Sequence, residues 1–274
     1  SAPKLSQVAL ELGGKSAMVI FEDTDIERAV EATIKGCLTN GGQICTAHTR
    51  LIVQEGIKDE LLTKLKNVLE KIPYCRDPIT ERERGDRAWE TGVTDVIQPV
   101  VSASQHKKIL GFLNEVEAAG IEIYTGGGVP DLADVKKSGG YFIQPTILTN
   151  VPRNSDAWQK EIFGPVLSVR SFSSESEAVT EANSTAFGLA STVMSSDPAK
   201  AMRVANRIRA GAVFATSTGE GLLAEHPAVS RGGFGCSGVG RELGIDGLHE
   251  YTELKSVNYS GFSIAEAKEN SKQG

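Results

Sequence analysis

From Val166 onward short apolar runs alternate with helical ones, and this alternation limits the fold more than any other feature of the chain. Residues 166–172, 189–194 and 212–215 read as strands. Residues 174–183 and 197–208 between them read as helices. Strands separated by helices of about ten residues argue for βαβ units and a mostly parallel sheet. The first half fits the same plan. Residues 16–21 form a short apolar strand. Asp23 and Thr24 are N-cap types ahead of an amphipathic helix over 26–38 that has acids in its first turn. Residues 49–53 are β-branched and extended. Residues 57–72 place Leu61, Leu62, Leu65, Val68, Leu69 and Ile72 at helical spacing. With 274 residues and 40% hydrophobic content, a full core is within reach. The expected fold class is α/β: a mostly parallel, twisted sheet flanked by helices.

Other stretches are less regular. Residues 73–101 are charged, broken by prolines and include Glu81-Arg82-Glu83-Arg84, so an exposed loop is expected. Residues 102–119 return to helix, and 121–124 to a short strand ending at Gly126-Gly127-Gly128. Residues 141–148 are extended but contain Pro145, which favours an edge or irregular strand over a central one. Residues 241–248 read as a short helix and 253–259 as a final strand.

Two glycine-flanked stretches carry the chemistry. Asn40-Gly41-Gly42-Gln43-Ile44-Cys45 joins a helix to a strand. The glycine pair lets the backbone turn sharply, which can hold the Cys45 thiol at the floor of a cleft. Leu10-Glu11-Leu12-Gly13-Gly14-Lys15 places a carboxylate directly before a second tight turn. A thiol nucleophile and a carboxylate base, each beside a glycine pair, suit covalent catalysis. A Glu11 side chain lodged among Leu10, Leu12 and glycines would be partly desolvated, which raises a carboxyl pKa. On local grounds alone, the reading that comes first for Cys45 is an inert core cysteine, and for Glu11 an exposed strand-end residue.

Four motifs stand in order: Glu-Leu-Gly-Gly-Lys at 11–15, Gly-Gln-Ile-Cys at 42–45, Glu-Ile-Phe-Gly-Pro at 161–165, and Ser-Gly-Val-Gly-Arg-Glu-Leu-Gly at 237–244. Together they resemble the aldehyde dehydrogenase superfamily, from about Lys4 to Gly261. Ile44, Gly36-Cys37 and Trp158 look most like its betaine or amino-aldehyde branch. The resemblance implies NAD(P)-dependent oxidation of a small aldehyde, with Cys45 as nucleophile and Glu11 as base. It implies NAD or NADP contacts from Glu161 (ribose), Phe163, Leu12 and Gly13. Without the resemblance, Glu161 reads as a surface glutamate, Phe163 as core and the glycines as a plain turn. Lys15, Arg241 and Glu242 are expected to be architectural. The glycines at 126–128 and 232–235 are expected to be turns and not dinucleotide fingerprints. The implied organisation is a catalytic domain over 1–252, an oligomerisation strand over 253–261 that pairs with another subunit, and a polar tail over 262–274.

The sequence departs from the family pattern in two places. The usual upstream half, with most of the cofactor site, is not in this sequence, so a fragment, a split enzyme with a separate cofactor-domain chain, or a reduced relative is expected. Where similar enzymes have a Trp-Val-Asn run and later Pro-Phe-Gly-Gly, this chain has Val213-Phe214-Ala215 and Ser230-Arg231-Gly232-Gly233. A trimethylammonium group favours aromatic faces, and two aromatics are lost here.

The net charge of −6 and the lack of any basic block disfavour nucleic acid and anionic membrane surfaces. No apolar run approaches the ~20 residues of a membrane span. The first residues lack a secretion pattern. Four scattered cysteines fit a reducing compartment, cytoplasmic or organellar, better than a disulfide scaffold. Cys45 and His48 have Cys-x-x-His spacing, but no second pair completes a zinc site, so no metal is expected. Two further functions use the same features: a non-catalytic structural subunit of a larger complex, and a thiol esterase independent of NAD.

Overall fold

The computed structural model describes residues 6–75, 96–219 and 226–260. The chain runs β1 (Leu10–Glu11), β2 (Ala17–Ile20), α1 (Ile26–Leu38), β3 (Arg50–Gln54), α2 (Lys58–Leu69), α3 (Ala103–Ala118), β4 (Glu122–Thr125) and α4 (Ala133–Ser138). It continues through β5 (Thr146–Thr149), α5 (Asp156–Gln159), β6 (Val166–Phe172), α6 (Glu175–Ala182), β7 (Ala190–Met194), α7 (Pro198–Ala205), β8 (Ala212–Thr216), β9 (Gly238–Val239) and α8 (Gly244–His249).

Seven strands form one sheet in the order β4-β5-β6-β3-β2-β7-β8. All neighbours are parallel except the β4–β5 edge pair. The pleat divides β2 between two cores. Ala17 and Val19 face one side with α3, α6 and α7; Met18 and Ile20 face the other with α1 and α2. Val19, Ile20, Leu51, Ile52 and Val53 are wholly buried, and each such side chain contributes about 1.5–3 kcal/mol of transfer free energy. That is why the central strands read as unbroken apolar runs.

Helix starts follow their caps. Asp25 accepts from Arg28 N, Ser174 from Glu177 N, and Asp197 from Ala199 and Lys200 N with Pro198 following. Asp25, rather than Asp23 or Thr24, is therefore the cap of α1. Asp23 instead accepts from Ser195, Ser196 and Lys200 across the sheet end.

Three expectations need correcting or completing. The strand expected at an edge, β5, lies inside the sheet between β4 and β6 with all four residues buried. Pro145 stands just before it, so no ladder N–H is lost; Thr146 N opens the pairing with Pro165 O at 2.9 Å. Most of 73–101 lies outside the described residues, but Tyr74 bridges Ile97, and Ile97 and Val100 are buried. Residues 253–260 are not a strand within this chain and are exposed.

Candidate active site

Three of the four motif-bearing loops enter the amino ends of parallel strands: 11–16 into β2, 39–49 into β3 and 161–165 into β6. They meet closely, twice backbone to backbone and once backbone to carboxylate, and glycine makes each meeting possible. Asn40, Gly41 and Gly42 take φ values of 55°, 64° and 73°, a left-handed turn open chiefly to Gly and Asn. The side-chain amides of Asn40 and Gln43 each donate to the other's carbonyl at 3.1 Å. A Cβ on Gly42 would run into Gly164 O. A Cβ on Gly14 would lie 2.7 Å from Cys45 O, and one on Gly13 would collide with the Glu161 carboxylate.

Cys45 is partly exposed on this turn. Arg231 Nη2 donates to its sulfur at 3.2 Å, and the same nitrogen lies 4.0 Å from Glu11 Oε2. Thiol and carboxylate thus converge on one guanidinium. Glu11 is held there by a ribbon from the far end of the chain. Its strand β1 pairs antiparallel with β9, Leu10 opposite Val239 and Glu11 opposite Gly238, and Leu12 N donates to Ser237 O at 2.9 Å. Arg231 is fixed by the same segment, since its backbone N–H and C=O both pair with Glu242 at 2.7 Å. The expected apolar lodging of Glu11 is not found. Leu10 and Leu12 are 42% and 56% exposed, and the carboxylate faces a cation instead. The reason is that β1 lies outside the main sheet, so Leu10 and the adjoining Leu12 meet no core.

Glu161 Oε1 accepts from Gly14 N at 3.3 Å, and burial pushes its carboxyl pKa up. Phe163 takes φ 60°, and Gln105 Nε2 steadies the turn by donating to Ile162 O and Phe163 O at 3.1 and 2.8 Å. Glu161, Gly13 and Cys45 therefore belong to one cluster. A carboxylate has about four acceptor positions; with one on Gly14, Glu161 suits a pair of ribose hydroxyls. Leu12 is exposed beside it.

Other residues are placed away from the chemistry. Burial raises the Cys37 thiol to about 12, leaving it inert. His48, three residues past Cys45, turns from the sulfur to Thr192 Oγ1 at 2.9 Å, and burial lowers its imidazole to about 4. Among the described residues no cluster of three metal-ligating side chains occurs. Arg241 Nη1 donates to Gly240 O at 2.7 Å, an architectural contact. Lys15 is fully buried, and its ammonium has no hydrogen-bond partner among the described residues, so it caps nothing. Arg231 and Gln105 are site residues that motif reading does not single out. The one trace of Arg231 is its place in the departure at 230–233.

A cavity of about 340 Å³ opens beside Cys45 between Thr46, Leu189, Val213, Phe214, Val229 and Arg231. No helix of the described residues is long and apolar enough to cross a membrane.

Residues 1–257 match the aldehyde dehydrogenase family. The chain is 40% identical to aminoaldehyde dehydrogenase 1, peroxisomal, of Pisum sativum over 257 residues, 94% of this chain and 47% of that protein. It is 39% identical to the chloroplastic betaine aldehyde dehydrogenase of Beta vulgaris, over the same shares of each. A crystal structure of betaine aldehyde dehydrogenase from Staphylococcus aureus in complex with NAD+ superposes with a TM-score of 0.79 at 36% identity, covering 91% of this chain and 46% of that one. The chain thus spans about half the length of the relatives it matches.

Proposed function

The chain belongs to the aldehyde dehydrogenase family, and on that footing we propose that it supplies the catalytic residues of an enzyme oxidising a small aldehyde to a carboxylate with NAD or NADP. Cys45 is the nucleophile. Its sulfur attacks the aldehyde carbon and forms a thiohemiacetal; oxidation gives a thioester, which water hydrolyses. A thiol suits both halves, because sulfur is a good nucleophile and a good leaving group. Glu11 is the general base, taking a proton from the thiol or from the hydrolytic water. The bound nicotinamide would supply the two-electron acceptor; Glu161 would hold its ribose, with Gly13, Leu12 and Phe163 around it. The remaining cofactor contacts come from chain outside this sequence or from a second chain. Residues 253–261 pair with another subunit in a homo-oligomer, and the setting is a reducing compartment.

One observation carries this reading: Cys45 Sγ and Glu11 Oε2 both meet Arg231 Nη2, at 3.2 and 4.0 Å. The test is NADH formation from aldehyde by the full-length protein. Cys45→Ala is expected to abolish it, and Glu11→Gln to lower it about 10²–10⁴-fold, the usual contribution of a positioned base. Ester hydrolysis dependent on Cys45 without any NADH would replace this reading with the thiol esterase. Loss of neither activity in the two variants would remove both.

A further inference from the structure

We propose that Arg231 makes the cavity beside Cys45 selective for short aldehydes that carry a carboxylate, and against those that carry a quaternary or primary ammonium. The inference rests on the reading of Cys45 as the nucleophile and names the substrate class of that same site.

Arg231 is the only Arg, Lys, Asp or Glu lining the cavity among the described residues; His226 and Ser230 also border it, and most of the remaining wall is apolar or backbone, with Leu189, Val213, Phe214, Val229 and Leu243 prominent. Its guanidinium is not a loose surface charge. The two backbone bonds to Glu242 fix its Cα, its side chain is 24% exposed, and Nη2 sits 3.2 Å from the sulfur. The aldehyde carbon becomes bonded to that sulfur. A group borne a few atoms further along a short chain must therefore come within close range of the guanidinium. There, with apolar walls limiting solvent, like charge repels and opposite charge attracts more than in water. The planar fork of arginine matches a carboxylate in shape as well as in sign. Glu11 Oε2 lies 4.0 Å from the same Nη2, so the guanidinium faces both the carboxylate and the sulfur. The sequence at 230–233 has this cation where similar enzymes have an aromatic, so the preference expected of an aromatic-lined funnel for ammonium groups is reversed.

The test uses two reagents of nearly one shape and different charge. Iodoacetate and iodoacetamide each alkylate a thiol: sulfur bonds to the methylene carbon, iodide leaves, and the thiol proton passes to solvent. The rate at Cys45 is followed by mass spectrometry of its peptide, and the iodoacetate-to-iodoacetamide ratio is normalised to that of N-acetylcysteinamide. The expected normalised ratio is about tenfold above one. Arg231→Met returns it to about one, and Arg231→Lys keeps most of it. A wild-type ratio at or below one overturns the proposal, and this holds even if Arg231→Met does not fold. An elevated ratio that Arg231→Met leaves intact also overturns it. In the full-length protein, kcat/KM is expected to fall from 4-oxobutanoate to butanal to trimethylammonioacetaldehyde, and the reverse order would refute the selectivity. Oxidation of none of the three, with the alkylation ratio elevated, would sink the dehydrogenase reading and leave the charge preference standing.

Discussion

Lys15 stands one residue past the Gly13–Gly14 turn with its ammonium buried, and burial together with the Arg50 charge lowers its pKa to about 7. In the unfolded chain that amine would titrate near 10.4. Between the two values the unfolded chain holds a proton that the folded chain lacks, so stability rises with pH across this window. Lys15→Met removes the cost of keeping or losing that proton. It is expected to raise the unfolding free energy by a few kcal/mol near pH 7, at about 1.4 kcal/mol per unit of pKa difference, and to lose the advantage as pH nears 10. Urea unfolding of both proteins at pH 7 and pH 9.5 checks this; an equal difference at the two pH values would count against it. His48 acts in the same sense at lower pH. Its imidazole, lowered to about 4, stays neutral in the fold and binds a proton more readily when unfolded. Stability therefore falls as pH drops from about 6.5 toward 4, and His48→Gln is expected to flatten that fall.

At the scale of elements, glycines set how closely the loops approach. Gly42 has φ 73°, and its missing Cβ leaves room for Gly164 O. Gly42→Ala combines left-handed strain with a backbone clash, so a loss of about 2–4 kcal/mol is expected in thermal or urea unfolding. Gly238→Ala differs. Gly238 packs on Leu10 O where β9 holds β1, outside the seven-stranded sheet. Its substitution is expected to lower kcat at least tenfold through Glu11 while moving the unfolding midpoint little; a large midpoint shift with normal kcat would reverse that reading. The contrast explains what the sequence makes legible. The units from β6 to β8 are readable because each strand is long, apolar and separated from the next by a capped helix. Cys45 and Glu11 are readable because glycine pairs flank them. β1 is not, since it is two residues long and its partner lies more than two hundred residues away. β5 is misjudged because Pro145 reads as part of a strand that it only precedes. The Arg231 contact with Cys45 carries no local signal at all: it depends on how 226–243 folds over the strand ends.

For the whole molecule, the apolar surface is concentrated at the end of the described chain. Leu243, Ile245, Leu248, Tyr251, Leu254, Val257 and Tyr259 are all exposed, Leu254 completely. Contiguous exposed apolar residues mark interaction surfaces, and this run includes the segment proposed to pair with another subunit. Replacing Leu254, Val257 and Tyr259 with serine in the full-length protein is expected to yield a smaller species by light scattering; an unchanged mass would place the subunit contact elsewhere. The β1–β9 pairing has one more consequence. Ribosomes deliver domains amino end first, so Cys45 and Glu11 emerge early, long before Arg231 and Gly238. The Arg231 contacts to Cys45 and Glu11 can therefore form only once the last part of the domain has appeared. A nascent chain halted short of residue 231 carries the Cys45 thiol without its guanidinium and Glu11 without the β9 strand that holds it.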